Sequence, residues 1–152
     1  VNEALAGLLP TIMPSAIEWA QQCELHIGRF GDLLNEAGIE LARRVGVSKV
    51  ERVRILLVDA IPIPSDPALQ RAIRLEEFLG PDTSGLTLGY GIFIRRGKAS
   101  ARLVSHELRH VHQYEQAGSI ARFLPLYLED VAQVGYYNSR YEVDARAHEH
   151  SR

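Results

Sequence analysis

The sequence of 152 residues contains one cysteine, Cys23. No disulfide can form within the chain, and a reducing compartment is permitted. Lysine is scarce, with 2 lysines beside 15 arginines, and the net charge is −2. The basic residues are spread along the chain rather than clustered, which excludes the footprint of a nucleic-acid binder. No stretch approaches the roughly 18 apolar residues of a membrane span. No basic, then apolar, then small-residue leader opens the chain. The default expectation is therefore a cytoplasmic protein. The first residue is Val1 rather than Met, so a secreted or processed form stays open. Repeats and low-complexity tracts are also lacking. What is there is ordinary for a globular protein: 46% hydrophobic and 24% charged residues. The length suits one domain with one sizeable core.

Four blocks follow from the patterning. Residues 1–47 read as helical. Ser15 and Glu18 fit a capping box, Gly28 and Gly31 interrupt the pattern, and a second helix over 36–45 ends at Gly46. Residues 52–60 read as a central strand, apolar on both faces. Asp66-Pro67 starts a helix that Gly80-Pro81 closes near Leu79. Residues 86–95 alternate cleanly and predict one strand, with Gly89 and Gly91 marking a bulge or a close approach. A helix over 100–117 stops at Gly118, with Val104, Leu108 and Val111 as its core stripe. Another covers 120–134, disturbed by Pro125. A last helix begins near Tyr141, capped by Asn138 or Ser139. The expected fold class is α+β, with residues 1–47 as a helical cap on a core over 50–150.

Chemistry concentrates at His106-Glu107-Leu108-Arg109-His110, an H-E-x-x-H motif. On a helix, residues four apart share a face, so both imidazoles can bind one Zn²⁺. Glu107 then stands close enough to take a proton from a water the ion activates. Chance yields such a motif in roughly 2% of chains of this composition, and seldom inside an amphipathic helix. The bland alternative is two surface histidines beside a solvated glutamate.

Catalytic zinc usually has three protein ligands. The metzincin extension fails, because Gln113 and Gln116 stand where Gly and His are required. A downstream carboxylate remains. Glu115 lies on the wrong turn of the motif helix, and Glu129-Asp130 read as a solvated pair. Glu142 is favoured, with Asp144 and Glu149 as the alternatives.

GLTLGYGIFIR at 85–95, LVSHELRHVHQYE at 103–115 and YYNSRYEVDA at 136–145 resemble small bacterial gluzincin-like zinc peptidase domains. The resemblance covers about residues 84–149. It implies a zincin-like fold, with a small sheet packed against an H-E-x-x-H helix and a later acidic helix. It implies His106, His110 and Glu142 as zinc ligands, Glu107 as general base, and a peptide or protein substrate. One position departs: related patterns place Asp four residues after the ligand Glu to orient a histidine, and here Arg146 stands there. Either Asp144 takes over the orienting, or the groups behind the ligands differ from the related pattern. In zincins the strand before the motif helix lies along the cleft, so Gly89 to Phe93 is an expected edge for an extended peptide.

Other residues carry weaker expectations. Tyr136, Tyr137 and Tyr141 are each a possible phenol donor to the reacting carbonyl. His112 turns away from the ligand face, and His148 and His150 read as solvated. Cys23 reads as a buried thiol rather than a zinc-blocking switch, and Trp19 as core. The main functional expectation is a zinc-dependent peptidase. The second is a zinc-bound recognition or regulatory domain without turnover, favoured by Arg146 and the small size. A weaker third is a toxin-like effector domain.

Overall fold

The computed structural model describes residues 1–76 and 79–151. Among them are six α-helices and a four-stranded mixed sheet, so the chain is α+β. Helix α1 (Glu3–Phe30) opens it, then β1 (Asp32–Leu33), α2 (Glu36–Arg44), β2 (Arg54–Val58), α3 (Pro67–Glu76), β3 (Gly85–Leu88), β4 (Gly91–Arg95), α4 (Ala101–Ala117), α5 (Ile120–Val134) and α6 (Arg140–Ala147). The expected end of α3 near Leu79 runs into residues 77–78, outside the described residues.

The capping box at Ser15 is not a helix start. Helix α1 begins at Asn2, whose side chain accepts from Leu5 N–H, and runs unbroken to Gly31. One apolar stripe carries it through: Leu5, Leu9, Ile12, Ala16, Ala20, Cys23 and Ile27 are all buried, at the spacing of one helical face. Pro10 and Pro14 lie on the exposed face, away from the stripe, and each removes one N–H from the helix. Packing of the stripe outweighs the two missing N–H groups. Gly28 is absorbed in the helix, and Gly31 terminates it.

The single strand expected over 86–95 is a hairpin. Leu88 pairs with Gly91 across a two-residue turn, Gly89-Tyr90. Gly89 has φ +66°, a conformation that a tight hairpin needs at this position and that a β-carbon resists. Alternation continues through such a turn because a two-residue loop keeps the period, so sequence pattern alone does not reveal it.

Strand order is β1-β2-β4-β3. Strand β4 runs parallel to β2, Ile55 opposite Ile92 and Leu57 opposite Ile94, and antiparallel to β3. The segment Gly89 to Phe93 therefore offers no free strand edge along β4: both sides are already paired, and the outer edge belongs to β3. Side chains of β4 split the core. Ile92 and Ile94 pack with Val104, Leu108 and Val111 of α4 and Ala42 of α2. Phe93 faces the other way, towards Ala20 and Ile27 of α1 and Phe123 of α5. Gly91 lets Ile27 approach the sheet: a β-carbon there would stand 2.9 Å from the Ile27 side chain. A further apolar cluster joins α1, α3 and α5 through Leu9, Leu69 and Val131. The sheet thus lies between an α2/α4 layer and α1, with β3 beside α4.

Candidate metal centre

Residues 106–110 lie within α4, which starts at the Ser100 cap and ends at Gly118 in the left-handed region. His106 and His110 share a face, their ring centroids 5.0 Å apart and edge-on. Helix α6 supplies the third group. Ser139 caps it by accepting from Tyr141 N–H, and Glu142 sits buried in its first turn, where the helix dipole favours negative charge. Ligand atoms of His106, His110 and Glu142 all lie within 4.8 Å of one another. His106 Nε2 is 3.2 Å from Glu142 Oε1, and His110 Nε2 is 3.2 Å from Glu142 Oε2.

Hydrogen bonds fix the tautomers. Gln113 Nε2 donates to Tyr141 O and to Asp144 Oδ2, each at 2.9 Å. Its Oε1 is therefore the atom 2.7 Å from His110 Nδ1, and an amide oxygen only accepts, so Nδ1 carries the proton. His106 Nδ1 is 2.8 Å from Glu149 Oε2 and is a donor by the same logic. In neutral rings both Nε2 lone pairs then face carboxylate oxygens. Lone pairs meet lone pairs unless a cation or an added proton lies between them.

Without a metal, protons fill that role. Burial alone would lower the His110 pKa, but the Glu142 hydrogen bond and charge outweigh it and hold it up at about 9. His106 is raised against its burial by the same carboxylate and by Glu107. Burial would raise Glu142, yet its hydrogen bonds to His106 and His110 hold it well below the usual carboxylate range. Two imidazole nitrogens and a carboxylate at this spacing are also the donor set that suits Zn²⁺.

Around this group the remaining partners are in place. Tyr127 O–H donates to Glu142 Oε2 at 2.7 Å; burial, then the Glu142 charge, push its phenol pKa far up and keep it protonated. Arg109 grips Asp144 through Nε and Nη2 at 2.8 and 3.2 Å and donates from Nη1 to Val45 O at 2.7 Å. This ties α6 to α4 and to the end of α2. Glu107 is buried, with Thr87 Oγ1 2.7 Å from its Oε1. Gly85 gives it room, since a β-carbon there would stand 3.1 Å from the carboxylate. Glu107 also borders an open cleft of about 1000 Å³ that His106, Tyr136 and Glu149 line.

Of the expected residues, the structure brings His106, His110 and Glu142 together and puts Glu107 on the cleft beside them. The two alternatives to Glu142 stand one layer out. Glu149 holds His106, and Asp144 reaches His110 through Gln113. Arg146, at the position where related patterns carry an orienting Asp, lies over the Tyr137 ring at 4.0 Å. Tyr136 lines the cleft, whereas Tyr137 is exposed and Tyr141 packs on Phe123 at 5.0 Å. Glu115 accepts from Ser48 and Lys49 N–H and from Tyr90 O–H. Asp130 pairs with Arg140. His112 bonds Gly46 O, and His148 the Asp144 carbonyl. Cys23 is buried in the core, and burial pushes its thiol up to about 11.

Sequence reasoning missed Gln113, Thr87 and Tyr127. Gln113 carried a signal, standing three residues after His110 on the same helix face. Thr87 and Tyr127 carried none, since only tertiary packing brings them to Glu107 and Glu142. Comparison with family models, with curated proteins and with solved structures returned no match.

Proposed function

We propose that this protein is a zinc-dependent peptidase with a zincin-like core. The observation that carries it is the convergence of two Nδ1-protonated imidazoles on one buried carboxylate, an arrangement that calls for a cation at His106, His110 and Glu142. Zinc, when bound, supplies Lewis acidity: it polarises a carbonyl oxygen and makes water acidic enough to react near neutral pH. The chain's own groups do the rest. Thr87 holds Glu107 Oε1, which leaves Oε2 to take a proton from the attacking water and pass it to the leaving amine. Tyr127 and the helix dipole keep Glu142 ionised. Tyr136 lines the cleft wall with its side chain hydrogen-bonded to Glu142, which sets a phenol beside the site to donate to the carbonyl oxygen as charge builds on it. The outer edge of β3, which no strand among the described residues pairs and which is half-buried at Gly85 and Leu86 beside Glu107, replaces Gly89 to Phe93 as the strand along which an extended peptide would lie.

Two features favour turnover over a zinc-bound recognition domain. The group holds three protein ligands among the described residues, which leaves a coordination position for water or substrate. The missing Asp at position 146 no longer argues against activity, because Glu149 and the Gln113–Asp144 pair orient the two histidines. The test is Glu107→Gln, assayed for zinc content and for hydrolysis of a peptide library. Zinc is expected to stay and turnover to fall by at least about 100-fold. Full zinc-dependent turnover in this variant would overturn the role of Glu107.

A further inference from the structure

A second space, less open than the cleft, adjoins it. It is a cavity of about 130 Å³ between α1, α3, α5 and β3. Cleft and cavity share Ile73, Leu79, Gly85, Glu107 and Tyr136 in their walls, so these residues form the mouth between them. The polar end of the cavity is Glu107, His110 and Glu142; among the described residues no other charged side chain lines it. The far end is apolar, walled by Leu9, Ile12 and Ala16 of α1, Ala72 of α3 and Leu128 of α5. Small side chains create the space: Ala16 and Ala72 are both buried and stand where a leucine would fill it.

From this we infer that the cavity is the specificity pocket of the site, taking one apolar substrate side chain, up to phenyl size, next to the scissile bond. The inference rests on the peptidase reading. Three observations select the occupant. Among the described residues the walls give a charged side chain no partner away from the reacting groups, and burying an unpaired charge is costly. The volume is close to the roughly 150 Å³ of an apolar cavity that binds benzene, so a phenyl or leucine side chain fits and an indole is too large. The mouth lies at Glu107, so a side chain entering there brings its backbone to the general base. Helix α1 is then part of the site, since its stripe forms the pocket floor.

Two measurements on the full chain test this. The first uses fluorobenzene as probe, followed by fluorine NMR, with and without zinc. Saturable binding is expected in both states, weakened at least tenfold by Ala16→Leu with zinc content unchanged. Ala72→Leu fills the same space from α3 and serves as the second variant. The next compares zinc-loaded protein on peptides that differ at one position, Phe, Leu, Ala or Asp. The expected kcat/KM is at least tenfold higher for Phe or Leu than for Ala, with Asp lowest and the gap narrowed by Ala16→Leu. Absence of fluorobenzene binding, or equal kcat/KM for the four peptides, would overturn the pocket while leaving zinc hydrolysis standing. Fluorobenzene binding that Ala16→Leu removes, with no peptide hydrolysed, would instead sink the peptidase reading and the substrate assignment with it.

Discussion

At the residue scale, the candidate centre depends on acceptors that hold each imidazole from behind. Glu149 does this for His106 from the segment after α6, at 2.8 Å. Removing its charge by Glu149→Gln is expected to weaken zinc about 10- to 100-fold, measured by competition with a chelator of known affinity. Unchanged affinity would mean that His106 needs no anchor. His110 is held differently, through Gln113 to Asp144, so Gln113→Leu is expected to weaken zinc while Gln113→Glu keeps an acceptor at Nδ1. The pair of histidines was legible in the sequence because helical spacing dictates which residues share a face. Their anchors were less so. Gln113 is local and could have been found, while Glu149 was weighed only as a ligand. Its true position follows from the path of the chain after α6, where His150 N–H bonds Ser105 Oγ at 2.7 Å.

At the element scale, a turn and a helix cap decide where the site's neighbours sit. Gly89 starts the hairpin that sets β3 against α4, and its φ of +66° is joined by a close approach. A β-carbon there would fall 2.0 Å from Glu24 Oε2, the atom that accepts from Tyr90 N–H. Gly89→Ala is expected to cost about 1–3 kcal/mol, measured by thermal unfolding; a wild-type midpoint would contradict the turn. Asn2 caps α1 and also donates to Leu75 O and Glu76 Oε2, so it clamps α1 to α3. Asn2→Ala is expected to cost about 1–2 kcal/mol. Helices 36–45, 100–117 and 120–134 were legible because caps and periodicity agree. The start of α1 was not, because Ser15 and Glu18 imitate a capping box and only the continuity of the buried stripe overrides it. The hairpin was hidden because both of its arms keep the period of two.

At the scale of the whole molecule, the buried charge cluster makes stability depend on pH. In metal-free protein the folded His110 pKa is raised from 6.5 to about 9. Its stabilisation is complete below about 6.5 and is lost as pH rises through 9. Glu142 is shifted the opposite way, below its ordinary 4.5; its stabilisation is present above that value and is lost as pH falls through the lowered one. Metal-free protein is therefore expected to be most stable between about pH 4.5 and 6.5 as far as this cluster is concerned, and to lose thermal midpoint towards pH 9. Bound zinc would take the place of the protons between the rings and the carboxylate. Saturating zinc is thus expected to raise the midpoint and flatten its fall across the alkaline range. A midpoint that ignores both pH and zinc would contradict a coupled cluster. The α+β class was legible from alternating strands and capped helices. The role of residues 1–47 was not. They read as a helical cap on the core, and in the structure α1 lies across the sheet and contributes to two of the three apolar clusters among the described residues.

The most direct measurement is elemental analysis of protein purified without added metal, set beside a Glu142→Ala variant that retains its helical content. The expected result is about one zinc per chain in the native protein, with clear loss in the variant. No zinc in the native protein even after zinc is supplied, or equal zinc in both, would contradict a centre built from His106, His110 and Glu142.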